Sequence, residues 1–97
     1  MPFYNKGNLY SRLLRTHITN NEYTKWILQL KSSLNYIHYC NISHNDLKLK
    51  NILLDNDSNI IIIDFGCAKE NTLDFTSDIE SLKNIQQKLK SKLLSKL

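Results

Sequence analysis

The chain has 97 residues, with 41% hydrophobic and 23% charged content, so it suits one small globular domain with a modest core. No apolar run approaches the length of a membrane span, and Met1-Pro2-Phe3-Tyr4 lacks the basic start and apolar core of a secretion signal, which argues against both. The formal charge of +4 is concentrated: Ser81 to Leu97 holds five lysines and no acid, the remainder is close to neutral, and no nucleic-acid partner is expected. Cys40 and Cys67 show neither metal spacing nor a disulfide framework, which suits a reducing, intracellular setting, the cytoplasm or a host cytoplasm.

In chain order, Met1 to Tyr4 reads as the end of a strand, and Asn5-Lys6-Gly7-Asn8 as a turn. Leu9, Tyr10, Leu13 and Leu14 then recur at helical spacing, enough for about two turns. Thr19-Asn20-Asn21-Glu22 has the spacing of a capping box, with Ile18 before it placed to staple onto Tyr23. Tyr23, Ile27, Leu30, Leu34 and Ile37, widened by Trp26, predict an amphipathic helix of about 17 residues that closes at Cys40-Asn41. Asn51 to Leu54 and Ile60 to Ile63 predict two short strands joined by the turn Asp55-Asn56-Asp57-Ser58-Asn59. Strands apolar on consecutive positions need cover on both faces, and the long helix supplies only one. Ser77-Asp78-Ile79-Glu80 has a second capping-box spacing, opening a helix through Leu82, Ile85, Leu89 and Leu93 whose lysines suit the negative end of its dipole. Those lysines read most simply as a solvated face, although a basic amphipathic helix can also bind a membrane or an acidic partner.

The chemistry lies in His44-Asn45-Asp46-Leu47-Lys48-Leu49-Lys50-Asn51 and Asp64-Phe65-Gly66. A carboxylate at Asp46 can take a proton from a hydroxyl, and Lys48 can steady a phosphate. Oxygens of Asn51 and Asp64 can share Mg²⁺, and the intervening hairpin would bring them together. Gly66 offers freedom to turn after the second ligand.

From Ile42 to Leu54 the sequence resembles the catalytic loop of serine/threonine protein kinases, and Ile60 to Lys69 resembles the strand and metal-binding triplet that follow it. Met1 to Leu9 is similar to the hinge between kinase lobes, and Trp26 to Tyr39 to the long helix before the catalytic loop. The resemblance covers about two-thirds of the chain and implies an α+β fold: a fragment of the kinase large lobe, mainly helical, with one β-hairpin carrying the catalytic loop. It implies ATP and Mg²⁺ as cofactors and a protein hydroxyl as acceptor. It makes Asp46 the catalytic base, Lys48 the phosphate-steadying lysine, Asn51 and Asp64 the metal ligands, and Leu53 the residue beneath the adenine ring. His44 and Phe65 match a packed structural pair, and Cys67 a small buried residue. Ser77 to Leu82 matches the central helix whose aspartate, here Asp78, braces the catalytic loop.

Three departures follow from the same comparison. Asn45 stands where many family members have the arginine that pairs with an activation-loop phosphate. No glycine-rich phosphate loop, strand lysine or partner glutamate is found between Met1 and Leu97, so the expectation is a partial domain over residues 1–97 with the N-terminal lobe absent. Only a dozen residues separate Gly66 from Asp78, too few for a full activation segment. The reading is therefore a serine/threonine kinase-like chain, truncated and weakly active or inactive alone. The alternatives are a pseudokinase-type binding module that engages a kinase partner, an atypical or small-molecule kinase-fold phosphotransferase, or a gene remnant.

Overall fold

The computed structural model describes residues 7–93. Three helices and one hairpin make up the architecture: α1 (Leu9–Arg15), α2 (Asn20–Tyr39), β1 (Ile52–Leu54), β2 (Ile60–Ile62) and α3 (Thr76–Ser91). Single 3₁₀ turns occupy Leu49–Asn51 and Phe65–Cys67. The fold is α+β, as expected. The strand end proposed for Met1 to Tyr4, and most of the hinge, lie outside the described residues.

Each helix starts for a local reason. The Asn8 side chain accepts from the Ser11 N–H at 2.8 Å to cap α1. At α2 the Thr19 hydroxyl accepts from the Glu22 N–H, and the Glu22 carboxylate accepts from the Thr19 N–H, so the expected capping box is present. Arg12 pairs with the same Glu22 carboxylate at 3.2 Å and ties α1 to the start of α2. The helix runs 20 residues rather than 17 and closes where Asn41 takes a φ of 61°.

The second capping box is not formed. α3 begins at Thr76, one residue before Ser77, and Phe75 occupies its cap position without a side-chain bond. The Asp74 carboxylate accepts from the Thr76 N–H, and Asp78 turns into the interior. The helix also ends at Ser91, so Leu93 leaves its apolar stripe and bridges Ile18 in parallel.

The hairpin is antiparallel, with Ile52 opposite Ile62 and Leu54 opposite Ile60. Ile52 and Leu54 are fully buried, whereas Leu53, between them, faces the other way beside Ile61. Asn8 bridges Leu53, so the segment before α1 covers the outer edge of β1. The core joins Leu9 and Leu13 of α1, Trp26 and Leu30 of α2, and Ile85 and Leu89 of α3 to this inner face. α2 grips the hairpin turn with one side chain after another. Lys25 Nζ donates to Asp57 O, Trp26 Nε1 to Ser58 O, and Gln29 Nε2 to Asn59 Oδ1, while Gln29 Oε1 accepts from the Ile60 N–H.

Candidate active site

The buried polar residues are Ser43, His44, Asn51, Thr72 and Asp78, all in or around one loop. Among the described residues, no buried side-chain nitrogen or oxygen lacks a hydrogen-bond partner. The loop hangs from α3. Asp78 Oδ2 accepts from the His44 N–H at 2.8 Å, and Oδ1 accepts from the Asn45 N–H at 2.9 Å. His38 Nε2, at the end of α2, donates to Oδ2 at 2.9 Å, and its ring stacks on Phe75 at 4.0 Å. Burial pushes the Asp78 pKa up, but the bonds from His38, His44 and Asn45 outweigh it and hold the carboxyl below its ordinary range. The bracing role read for Asp78 thus has a geometry; His38, its third donor, was missed. Its only trace in the sequence is a histidine near a helix end, which does not select a carboxylate 40 residues away.

His44 has no spare nitrogen. Nδ1 accepts from the Asp46 N–H at 3.1 Å, which leaves the proton on Nε2, and Nε2 donates to Ile63 O at 2.8 Å. The ring packs edge-on against Phe65 at 4.7 Å. It is a strut between the loop and the exit of β2, not a free base.

Beyond that strut the expected site residues gather. Asn51 Nδ2 donates to Asp46 O at 2.8 Å and to Asp46 Oδ2 at 3.2 Å, and Lys48 Nζ stands 3.8 Å from Asp46 Oδ1. The Asp46 carboxylate is partly open to solvent, as a group meeting an incoming hydroxyl needs to be. The Ile63 N–H donates to Asn51 O, which places Asp64, the next residue, at the open end of the hairpin beside Asn51. Asn51 spends its amide donors on Asp46, which leaves its oxygen open to a cation; the exposed Asp64 carboxylate accepts only a long bond from Gly66 N–H at 3.4 Å. These are hard oxygen donors. No group of three or more His, Cys, Asp or Glu side chains gathers among the described residues. One amide oxygen and one carboxylate fit Mg²⁺, which keeps much of its own water. Leu53 is half-buried on the outward face of the hairpin.

Two expectations are corrected here. The freedom to turn is used by Asp64 itself, which sits at φ 64°, and Gly66 has no positive φ. Gly66 instead relieves crowding, because a Cβ there would meet Asp64 Oδ1 at 3.3 Å. Cys67 is exposed rather than buried, since the segment after Phe65 turns outward before returning. It returns through paired backbone bonds between Ser43 and Lys69 at 3.0 and 2.9 Å, and the Thr72 N–H donates to Asn41 O. Asn45 Nδ2 adds a bond to Cys67 O at 3.2 Å. The residue that replaces the usual arginine thus holds the downstream segment without any phosphate.

The structure thus gathers a loop hung from α3, a carboxylate beside a lysine, and an amide oxygen and a second carboxylate at the open end of the hairpin. The family comparison agrees: a model of the protein kinase domain matches residues 1–85, and the chain belongs to the protein kinase family. It is 36% identical over 84 residues to the serine/threonine-protein kinase KIN4 of Saccharomyces cerevisiae, which covers 86% of this chain and 10% of that protein. It is 39% identical over 71 residues to the serine/threonine-protein kinase akt-2 of Caenorhabditis elegans, covering 72% of this chain and 13% of the relative. Against kin-29 of the same organism the figures are 40% over 73 residues, 74% and 9%. The chain thus spans about a tenth of the length of the curated relatives it matches.

Proposed function

We propose that this chain supplies the phosphate-handling wall of a serine/threonine kinase site and transfers phosphate only when a second body covers the hairpin. The carrying observation is the convergence of Asp46, Lys48 and Asn51, with Asp64 brought alongside by the Ile63–Asn51 backbone bond. In this reading Asp46 accepts the proton of a protein serine or threonine hydroxyl. The hydroxyl oxygen then bonds to the γ-phosphorus of ATP while the bond to the β-bridging oxygen breaks, and ADP leaves. Lys48 releases Asp46 to balance charge on the moving phosphoryl group, and Leu53 floors the adenine. Mg²⁺ held by Asn51 and Asp64 would neutralise the nucleotide phosphates. An intracellular setting suits two exposed free cysteines. No helix among the described residues is long and apolar enough to cross a membrane.

The need for a second body follows from what lies open. Phe65 is 44% exposed, and a hollow of about 520 Å³ separates α2 from β2. The same hollow favours the runner-up, a non-catalytic module that binds a kinase partner there.

The test combines binding and turnover. Titrating Mg²⁺–ATP into ¹⁵N-labelled chain should shift the amide signals of Asn51, Asp64 and Leu53, and Asp64→Ala should abolish those shifts. Transfer of radiolabelled phosphate by the chain alone to a generic basic protein should not exceed that of Asp46→Ala. Robust turnover lost in Asp46→Ala would remove the requirement for a second body. Nucleotide shifts absent from these residues would remove the site and favour the binding module.

A further inference from the structure

Sharing no lining residue with the hairpin hollow, α1 and the end of α3 enclose a cleft of about 200 Å³. Its floor is apolar and fixed: Leu13 is 5% exposed and Leu49 8%. Its walls are apolar and open, with Leu14 66% exposed and Tyr10 41%. A leucine so exposed on a helix of seven residues is not needed to hold that helix down. The rim is basic. Lys88, in the last turn of α3, and Lys92, its C-cap residue, both line the cleft. Lys92 also lines a second hollow that continues past Leu14 to Arg15 and His17. At the other end Lys50 stands 5.0 Å over the Tyr10 ring.

Among the described residues this positive charge takes part in no ion pair. The ion pairs among the described residues are Arg12–Glu22, His38–Asp78 and Lys48–Asp46, and none involves Arg15, Lys50, Lys88 or Lys92. Leu94 to Leu97 include Lys96 and no Asp or Glu side chain. We propose that the cleft docks an acidic segment of a partner protein. That segment would seat one apolar side chain on Leu13 and Leu49 and lay carboxylates against Lys88, Lys92 and Arg15. Concavity selects a peptide over an anionic membrane: a bilayer is flat on this scale and would touch Leu14 without reaching the floor. Leu49 and Lys50 belong to the His44–Asn51 loop, but Tyr10, Leu14, Arg15, Lys88 and Lys92, which the test addresses or the peptide would touch, lie outside it, so peptide binding is read without phosphoryl transfer.

The experiment uses a fluorescein-labelled helical peptide with one leucine flanked by glutamates, and its counterpart with lysines in their place. Anisotropy should report binding of the glutamate peptide alone, weakened at least about tenfold by Lys88→Glu with Lys92→Glu, with preference inverted towards the lysine peptide. Inversion is a gain that an unfolded variant cannot show. Leu14→Ser should weaken binding of the matched peptide in both backgrounds. Equal binding of the two peptides, or no inversion, overturns the proposal. So does displacement of the glutamate peptide by phosphatidylserine vesicles but not by phosphatidylcholine vesicles, which would make the face a membrane surface. A dimer by light scattering that dissociates on charge reversal, without peptide binding, would instead assign the cleft to a second copy of the chain.

Discussion

The Asp78 carboxylate has no exposed surface and accepts three hydrogen bonds, from His38, His44 and Asn45. Its pKa is lowered on folding because those donors prevail over burial. A carboxyl of this kind contributes stability that is present above its unfolded value of about 3.9 and is lost as pH falls through the folded value. Acid should therefore unfold the protein at pH values below the ordinary aspartate range, with the His44–Asn51 loop released as Asp78 protonates. Asp78→Asn should cost about 2 to 3 kcal/mol near neutral pH and flatten the acid limb of a denaturant-midpoint-against-pH curve. Glu22, Asp55 and Asp74 also have lowered values, so some slope remains. An acid limb unchanged by the substitution would remove Asp78 from this role. At Asp64 the local argument is steric. Its φ of 64° is costly for any residue with a Cβ, and its exposed side chain packs little. Asp64→Gly should exceed Asp64→Ala in stability by about 1 kcal/mol in urea unfolding, while both lose the carboxylate proposed to hold Mg²⁺. Equal stabilities would mean that the left-handed backbone is not imposed here.

Helix α2 acts as the jig for the hairpin. Its first-turn box holds its entry, and Lys25, Trp26 and Gln29 together set where the Asp55–Asn59 turn sits. Because Gln29 both donates to Asn59 and accepts from the Ile60 N–H, Gln29→Ala strands a backbone donor at the start of β2. The expected cost is about 1 to 2 kcal/mol, with faster hydrogen exchange at Ile60, against about 1 kcal/mol for Thr19→Ala and no change at Ile60. At this scale the sequence was legible where the signal is local. The first capping box, the hairpin turn and the stop at Asn41 each depend on residues within four or five positions of one another. The second box failed because a distant demand won: two loop amides and His38 draw Asp78 inward, and Asp74 takes over the first turn of α3. Motif spacing brought Asp46, Lys48, Asn51 and Asp64 to one place, but it carried nothing about the His38 link or the outward course of Cys67. Those depend on how α3 meets the loop.

As a whole the molecule is a slab, 46 × 34 × 18 Å, and its short dimension holds only about two layers. One layer therefore buries Ile52 and Leu54, while Leu53 and Ile61 face outward, which is the missing cover that the all-apolar strands implied. Beyond β2 the sheet has no further strand among the described residues, and the hollow beside it is lined by Ile37, Tyr36 and Phe65. An open strand edge next to an apolar hollow is a template for pairing with another chain. In isolation the protein should self-associate as its concentration rises, with light scattering growing well below the unfolding temperature. Ile61→Lys places a charge in the middle of that edge strand, opposite Leu53 rather than in the core. It should suppress the scattering and leave the unfolding free energy within about 0.5 kcal/mol of wild type. The charge-reversed pair at Lys88 and Lys92 should leave the scattering unchanged, because neither lines the hollow beside β2. If instead Ile61→Lys scatters like wild type, the open edge is not where copies meet, and the second body expected over the hairpin loses its physical basis.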